Sequence, residues 1–200
     1  MRITSEKKEA TRRQIIEAAL ALFRSRGFEA TTTRDIARAA SIATGTLFNY
    51  FETKESLVTA LASEALAKAR AASHSQAVDG TLEEELFALV AAELRQLKPL
   101  RAFLTPVLET VLSPLASVRR DGDGETFRLE HLEIVSAIAR KHEFADLSPV
   151  ALQMYWALYT GVLAFWVADK SSRQEDTLAF LDQSLNMFAG WIRSSTGDSR

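Results

Sequence analysis

The hydrophobic positions recur at helical spacing along almost the whole chain. Ile15, Ile16, Ala19, Leu22 and Phe23, for example, lie at intervals that place them on one face of a helix. No stretch alternates apolar and polar residues for long enough to predict a strand, and glycine and proline are scarce, at eight and four residues. The pattern therefore predicts an all-α protein.

Capping residues indicate where the helices begin. Thr32 and Thr81 each precede an acidic residue by three positions, and such a pair can satisfy the first turn of a helix from both sides. Ser148 stands before a proline, as is typical of a helix start. Gly27 ends the first helix. Later helices are predicted over residues 33–40, 44–51, 54–72, 125–142, 149–169 and 174–194 and from Thr81 onward, with a linker at 73–80 and a polar loop at 119–125.

The two short helices over 33–40 and 44–51 are separated by only three residues. A turn this tight forces a steep crossing, which is the geometry of a helix-turn-helix. The second helix is too short to be stable alone, so Leu47 and Phe51 are expected to be buried against the first. The residues left facing outward or sideways are Thr44, Gly45, Thr46, Phe48, Asn49 and Tyr50.

Such an outward face suits a DNA groove. Threonine and asparagine can hydrogen-bond base edges, tyrosine can donate to a phosphate, and a glycine lets the backbone approach closely. In the alternative interpretation, Phe48 and Tyr50 pack on the neighbouring domain and the rest of the face has no role.

Charge and composition agree with a polyanionic partner at one end of the chain. The first 60 residues hold ten Lys or Arg and seven Asp or Glu, although the whole chain has a formal net charge of −2. The chain has no cysteine, which excludes disulfides and thiolate metal sites. The first residues lack the apolar run of a secretory signal, so a cytoplasmic protein is expected.

Residues 11–61 resemble the N-terminal domain of the TetR (tetracycline-repressor-like) family of bacterial transcriptional regulators. The segments "AALALFRSRGF", "TTTRDIA", "GTLFNYF" and "TKESL" occur in the family's order and spacing. The resemblance implies a three-helix DNA-binding domain over residues 1–55 and a C-terminal ligand-binding and dimerisation domain over 56–200. It also implies a homodimer that binds a palindromic double-stranded DNA operator and releases it when a small-molecule effector binds.

The resemblance assigns roles to particular residues. Thr33, Tyr50 and Lys54 fall where family members contact phosphates. Arg34, Thr44, Gly45 and Thr46 fall where they reach base edges, and Asn49 lies on the same outward face. Lys7, Lys8, Arg12 and Arg13 would add contacts from the N-terminal arm.

Three positions depart from the family pattern. Ser41 stands where a turn glycine is frequent, so a strained left-handed backbone is expected there. Ala43 replaces a capping serine, and Thr44 is expected to take over as the cap. Phe48 replaces a tyrosine and lacks its hydroxyl.

The body of the chain supplies candidates for the effector site and the dimer interface. The resemblance implies a cavity framed by the helices between residues 81 and 165, and two final helices, 149–169 and 174–194, that pair with their symmetry mates. Packing within one subunit explains the same residues almost as well. The effector candidates are Phe87, Phe103, Phe127, His131, Tyr155 and Tyr159, and the interface candidates are Trp166, Leu181, Leu185, Phe188 and Trp191.

Residues 147–168 hold no charged residue and are long enough to span a bilayer. Their aromatic residues are spread through the middle of the stretch, whereas interfacial belts would lie at its ends. A helix that is apolar all round is equally expected where a second subunit buries it, so no membrane partner is predicted.

The sequence contains no motif that supports an enzymatic function. The three histidines are scattered and show none of the H-E-x-x-H type spacings, so no metal ligand is predicted. Neither a Gly-rich phosphate loop nor a G-x-S-x-G motif is present, and we assign no cofactor and no catalytic residue. The alternative to a DNA-binding regulator is a helical protein that binds a small molecule or a partner and keeps the fold without using DNA.

Overall fold

The computed structural model describes residues 5–75, 80–105, 108, 123–144 and 146–197. These residues form helices and no strand, which confirms the all-α prediction. The α-helices are α1 (Ser5–Arg26), α2 (Thr33–Ala39), α3 (Thr44–Phe48), α4 (Lys54–Ser75), α5 (Leu82–Leu97), α6 (Asp123–Lys141), α7 (Pro149–Ala168) and α8 (Glu175–Gly197), with 3₁₀ turns at Lys98–Phe103 and Ser172–Gln174.

The predicted caps are confirmed. At the start of α2 the Thr32 hydroxyl accepts from the Asp35 amide at 3.1 Å, and the Asp35 carboxylate accepts from the Thr32 amide at 3.2 Å. Thr81 and Glu84 make the same reciprocal pair at α5. Ser148 accepts from the amide three residues on at 3.1 Å and so caps α7. Each cap satisfies amides that no helical carbonyl can reach.

Several predicted segments differ in extent. α3 ends at Phe48, whereas a helix over 44–51 was expected, and α8 continues to Gly197, three residues beyond the expected end. α4 continues to Ser75, so the start of the expected linker is helical; its residues 76–79 lie outside the described part of the chain. The expected polar loop at 119–125 is wrong for its last residues, because α6 already begins at Asp123, while residues 119–122 lie outside the described part.

The N-terminal helices enclose a small core of their own. Ile15 and Phe23 from α1, Ile36 from α2, Leu47 from α3 and Leu57 from α4 are all essentially inaccessible to solvent. α2 packs on both α1 and α3, and α1 packs on α4. The short third helix is therefore held in place by one leucine and by Phe51, which follows it and is also buried.

The larger body is built on α4 and α5. α4 packs along α5 and against α6, while α5 contacts α6 and α8, and α7 lies beside α8. α4 thus belongs to both halves of the molecule. Any shift of α4 relative to α5 would move the N-terminal helices.

The 3₁₀ turn after α5 touches the N-terminal helices. The Phe103 ring lies 5.7 Å from the Phe23 ring, and Phe23 in turn lies 5.2 Å from Phe28. A groove of about 470 Å³ opens beside this contact, lined by Arg26, Gly27, Phe28, Glu29, Ala30, Ala102, Phe103 and Thr105.

A polar corner joins the same turn to the ends of α7 and α8. Arg101 donates to the carbonyls of Val167 and Asp169, and its guanidinium lies 5.5 Å from the Trp166 ring. The Asp169 carboxylate accepts from the Thr177 hydroxyl at 2.5 Å and from the Ser171 amide at 2.7 Å. These hydrogen bonds, led by that of Thr177, hold the pKa of Asp169 well below its usual range.

Replacing Asp169 by asparagine is expected to destabilise the protein in a pH-dependent way. The folded-state pKa lies below the value of about 3.9 for an unfolded aspartate, so the stabilisation is present above about pH 4. It is lost as the pH falls from there through the folded-state pKa. Urea unfolding of the wild type and Asp169→Asn should therefore show a free-energy difference near neutral pH that shrinks toward pH 2.

Asp182→Asn is the matched control for this experiment, because Asp182 is exposed on α8 and accepts hydrogen bonds only from Asn186 among the described residues. It should change the unfolding free energy little at any pH. A constant difference between wild type and Asp169→Asn from pH 7 to pH 2 would contradict the assigned role of the carboxylate.

Candidate functional site

The turn between α2 and α3 is set by a left-handed residue. Ser41 has φ of 53°, which confirms the strained left-handed conformation expected at this turn. The Ser41 amide donates to the Arg38 carbonyl at 3.1 Å, and the Ile42 amide donates to the Ala37 carbonyl at 3.0 Å. These bonds close α2 and turn the chain into α3 within three residues.

The start of α3 differs from the expectation. Its N-cap is Ala43, which offers no side-chain hydrogen bond, and Thr44 is the first helical residue. The prediction that Thr44 caps the helix is therefore wrong. Its side chain remains on the surface, where it is partly exposed.

The residues predicted to contact DNA lie on the surface of α2, α3 and the turn after α3. Arg34, Gly45 and Asn49 are exposed, and Phe48 is 47% exposed, so this aromatic residue does not pack on the neighbouring domain. Tyr50 is half-buried against the core. The partly exposed members of the set are Thr33, Thr44, Thr46, Tyr50 and, at the start of α4, Lys54, and none of the set is buried. Their role in DNA contact stays a prediction.

Gly45 is exposed on this face. A β-carbon built on it meets nothing within 4 Å, and its backbone is not left-handed. The fold therefore does not require glycine here.

Lys54 is held at the edge of the same face. Its Nζ donates to the Phe28 carbonyl at 2.9 Å and lies 4.3 Å from the centre of the Phe28 ring. An ammonium carries three N–H donors, so two remain for a phosphate. The contact with Phe28 fixes the position of the charge.

The basic residues of the predicted N-terminal arm belong to α1. Lys7, Lys8 and Arg13 are exposed. Arg12 differs, because its guanidinium pairs with Glu64 of α4 at 3.5 Å and lies 5.5 Å from the Phe51 ring. Arg12 thus joins α1 to α4.

A second group of interest is buried in the body between α5, α6 and α7. His131 Nδ1 lies 3.0 Å from Glu93 Oε1, and His131 Nε2 lies 3.2 Å from the Tyr155 hydroxyl oxygen. The ring of Tyr159, one turn further along α7, lies 4.3 Å from that of His131. We call Glu93, His131, Tyr155 and Tyr159 the polar cluster; none is more than 2% exposed.

Burial governs the ionisation of the two phenols. It raises the pKa of Tyr155 and Tyr159 well above the usual value, and the nearby negative charge of Glu93 raises both further. Both hydroxyls therefore keep their hydrogens at neutral pH and can donate.

Four of the six predicted effector residues meet in this part of the molecule. Phe127 lies 5.6 Å from His131 and 6.2 Å from Tyr159, ring to ring, and Tyr155 lies beside them. Phe103 lies instead at the contact with Phe23. Phe87 is half-buried against the core. Whether any of the six touches an effector stays a prediction.

Two members of this region, Glu93 and Trp156, were not predicted from the sequence. Glu93 is fully buried, and Trp156 lies 5.4 Å from Tyr159. A signal for Glu93 existed, because it falls three residues after Val90 and four after Leu89 on the apolar side of α5. An acidic residue in that register has to be partnered inside the protein or at a ligand.

The predicted dimer-interface residues lie mostly inside the protomer. Trp166, Leu181, Leu185 and Phe188 are at most 3% exposed, and Trp191 is half-buried. Whether any of the five lies in a dimer interface stays a prediction.

The same two helices expose other apolar residues. Phe165 and Phe180 pack together at 5.3 Å across α7 and α8, yet each is about 40% exposed (42% and 38%). Of the eight large hydrophobic residues exposed in the described part of the chain, six lie on these helices: Val150, Met154, Phe165, Leu178, Phe180 and Met187.

α7 is also long and apolar enough to cross a membrane, by length and composition. Only 33% of its most apolar stretch is buried within the chain. Within the described ranges no group of three or more His, Asp or Glu residues could hold a metal ion.

Comparison with known families accounts for both halves of the chain. Residues 15–61 match the family "Bacterial regulatory proteins, tetR family", and residues 85–199 match the "Tetracyclin repressor-like, C-terminal domain".

Curated relatives share the N-terminal segment. The transcriptional repressor KstR2 of Rhodococcus jostii is 47% identical over 51 residues, which are 26% of this chain and 25% of the relative. The transcriptional regulator TtgR of Pseudomonas putida is 44% identical over 61 residues, 30% and 29% of the two chains. The match thus spans about a quarter of the length of these relatives.

A solved structure is similar over almost the whole chain. It is that of Thermus thermophilus FadR, a TetR-family transcriptional repressor in complex with lauroyl-CoA, with a TM-score of 0.72 and 26% identity. The similarity covers 89% of this chain and 93% of FadR.

Proposed function

The chain belongs to the tetracycline-repressor-like (TetR) family of bacterial regulatory proteins, and we propose that it is a homodimeric, ligand-responsive repressor of transcription. Its relatives are transcriptional regulators, which favours a regulator over an enzyme, and the regulator is proposed to act in the cytoplasm. The observation that carries the proposal is the solvent-facing surface of α2 and α3. It presents threonine, asparagine, glycine and arginine residues, while the leucine of α3 is buried in the core beneath them.

On this proposal α3 enters the major groove and α2 braces it. Arg34 is exposed and fits a guanine, to which its guanidinium can donate two parallel hydrogen bonds. Thr44, Thr46 and Asn49 would read neighbouring base edges. Thr33, Tyr50 and Lys54 would donate to phosphates on either side, which fixes the register of the helix.

The dimer is proposed to form through the exposed apolar face of α7 and α8. A two-fold axis would bring Phe165 and Phe180 of each protomer against the partner. α7 has no charged residue in any direction, and the part of it that its own chain leaves open is mostly apolar, with Gln153 as an exposed polar residue. A second copy packed on this face would remove its apolar side chains from water, so their burial does not require a membrane.

The effector is proposed to act through α4. The polar cluster lies on α5, α6 and α7, and α4 packs on both α5 and α6 before it continues into the N-terminal helices. A molecule that changes this packing would change the separation of the two recognition helices, which must match about 34–36 Å on DNA. A coupling of about 1–3 kcal/mol between effector and operator is typical of such switches.

Two alanine variants distinguish the proposed contacts. Lys54→Ala is expected to weaken binding to every duplex by a similar factor and to lower the slope of log affinity against log salt by about one per half-site. Arg34→Ala is expected to cost about 1–3 kcal/mol per half-site and to relax preference at one base pair. Fluorescence anisotropy with the operator and single-base variants at several salt concentrations measures both.

Lys68→Ala is the matched control, because this lysine is exposed further along α4, away from the α2–α3 face. It should change neither the affinity nor the salt slope. If Arg34→Ala and Lys54→Ala both bound the operator like the wild type, the assignment of the groove face would be wrong.

A further inference from the structure

Three aromatic residues connect the body with the turn between α1 and α2. Phe103, in the 3₁₀ turn after α5, lies 5.7 Å from Phe23 of α1, ring centre to ring centre. Phe23 lies 5.2 Å from Phe28, which follows α1. All three are at most 8% exposed, and side chains packed inside a protein have little freedom to move apart. We call Phe103, Phe23 and Phe28 the aromatic series.

The last member of the aromatic series holds a charge at the edge of the α2–α3 face. Lys54 Nζ lies 4.3 Å from the centre of the Phe28 ring, a distance at which the negative face of the ring attracts a cation. The same nitrogen donates to the Phe28 carbonyl at 2.9 Å. The ring and the carbonyl together therefore restrict a lysine side chain that would otherwise occupy many rotamers.

The turn that carries Phe28 is fixed by its own hydrogen bonds. Gly27 has φ of 84°, a left-handed conformation that glycine adopts without strain and that ends α1. The hydroxyl of the buried Thr31 donates to the Gly27 carbonyl at 2.8 Å, and its amide donates to the Phe28 carbonyl at 3.2 Å. The Phe28 carbonyl thus accepts from both Thr31 and Lys54. The position of the ammonium is therefore set by the α1–α2 turn as well as by α4.

The first member of the aromatic series is anchored in the body. Arg101, two residues before Phe103, donates to the Asp169 carbonyl just after α7, and its guanidinium lies 5.5 Å from the Trp166 ring. The 3₁₀ turn also packs against α4. A displacement of the end of α7 would therefore be passed to Phe28 along the aromatic series, by side chains that do not belong to α4.

We propose that the aromatic series positions Lys54 for a DNA phosphate, so that Phe103, a residue of the body, takes part in operator binding without touching DNA. An ammonium that is already in place loses less side-chain entropy when it binds a phosphate, and this strengthens binding. The inference rests on the proposed function, since it requires that Lys54 contact the operator. It gives Phe103 a positioning role that the resemblance did not assign.

The first test weakens the ring of Phe28 while nearly preserving its shape. A phenylalanine analogue with three fluorine atoms on the ring, introduced by nonsense suppression, reduces the negative charge of the ring face. Operator affinity of the full-length protein, measured by fluorescence anisotropy, should fall about two- to tenfold for each half-site. In a Lys54→Ala background the same replacement should have no effect, because the cation is missing. The analogue in place of Phe144, in the body after α6, is the matched control and should change neither affinity.

The second test removes the ring at the body end of the aromatic series. Phe103→Leu keeps an apolar side chain but shortens its reach toward Phe23, so operator affinity should fall at least about twofold for each half-site. The loss should again disappear in a Lys54→Ala background. Phe144→Leu makes the same exchange elsewhere in the body and should leave the affinity unchanged. Binding is measured well below the Tm of each variant, so that unfolding does not contribute.

Two kinds of result would overturn the proposal. One is operator binding like that of the wild type by the fluorinated protein or by Phe103→Leu, and the other is an equal loss of affinity with and without Lys54. The repressor proposal fails by a different result, since a wild type that binds no operator would contradict it directly. Failure of the positioning proposal instead appears in a wild type that binds the operator and in variants whose affinity does not depend on Lys54.

Discussion

Replacing Gly45 by tryptophan is expected to lower operator affinity by about a thousandfold or more without destabilising the protein. Gly45 is exposed on α3, and a β-carbon there meets nothing within 4 Å, so the folded protein accommodates a large side chain. In the proposed complex the same surface lies against base edges, where an indole would hold α3 out of the groove. Binding then falls to the non-specific level, which is typically 10³-fold or more weaker.

The matched control for this variant is Ala67→Trp, which places an indole on an exposed position of α4 away from α2 and α3. It should leave operator affinity unchanged. Anisotropy titrations give the affinities, and urea unfolding gives the stabilities. If Gly45→Trp were as stable as the wild type and still bound the operator normally, α3 would not be the recognition helix.

Replacing Phe165 by glutamate is expected to dissociate the dimer. The ring is 42% exposed in the protomer and packs on Phe180, so the proposed interface would bury it together with its symmetry mate. Truncation of a central aromatic residue typically costs at least about 2 kcal/mol, and a two-fold interface contains the residue twice. The dissociation constant of the dimer should therefore rise roughly a thousandfold.

Sedimentation equilibrium measures this change, and Leu129→Glu is the control. Leu129 is 61% exposed on α6, outside the proposed interface, and its replacement should leave the dimer intact. The Phe165→Glu monomer should also lose most of its affinity for the two half-sites of the operator. If Phe165→Glu left the dissociation constant of the dimer unchanged, the dimer interface would not lie on α7 and α8.

Local chemistry explains why the helix starts were predictable. Thr32, Thr81 and Ser148 each act through a neighbour three residues away, so the signal lies within one helical turn. The burial of Leu47 followed from the shortness of α3, since a five-residue helix needs a core contact. The left-handed backbone of Ser41 was expected from the family resemblance, which places a turn glycine at this position.

Long-range packing explains what was missed. α7 is apolar in every direction, so its sequence does not distinguish the face buried in its own chain from the face left open. Trp166 falls on the first face and Phe165, its neighbour, on the second. The sequence likewise does not reveal that Phe103 meets Phe23, some 80 positions earlier, and not Tyr159.

The two candidate sites differ in the same respect: the residues of one are local in the sequence, and those of the other are far apart. The face of α2 and α3 is one continuous segment, so its residues could be named in order from the sequence. The polar cluster draws one residue from α5, one from α6 and two from α7. Its key member, Glu93, was passed over because a carboxylate is usually at the surface, and only the partner 38 residues away explains its burial.

The central claim is that this protein recognises a specific DNA site as a dimer. The most direct measurement is a salt-titrated binding experiment with duplex from the region upstream of its own gene, beside an unrelated duplex of equal length. We expect tight binding to the first, two chains for each site, and a steep decline of affinity with salt. Absence of binding to either duplex at low salt would contradict the claim and favour a helical protein that binds a small molecule or a partner without DNA.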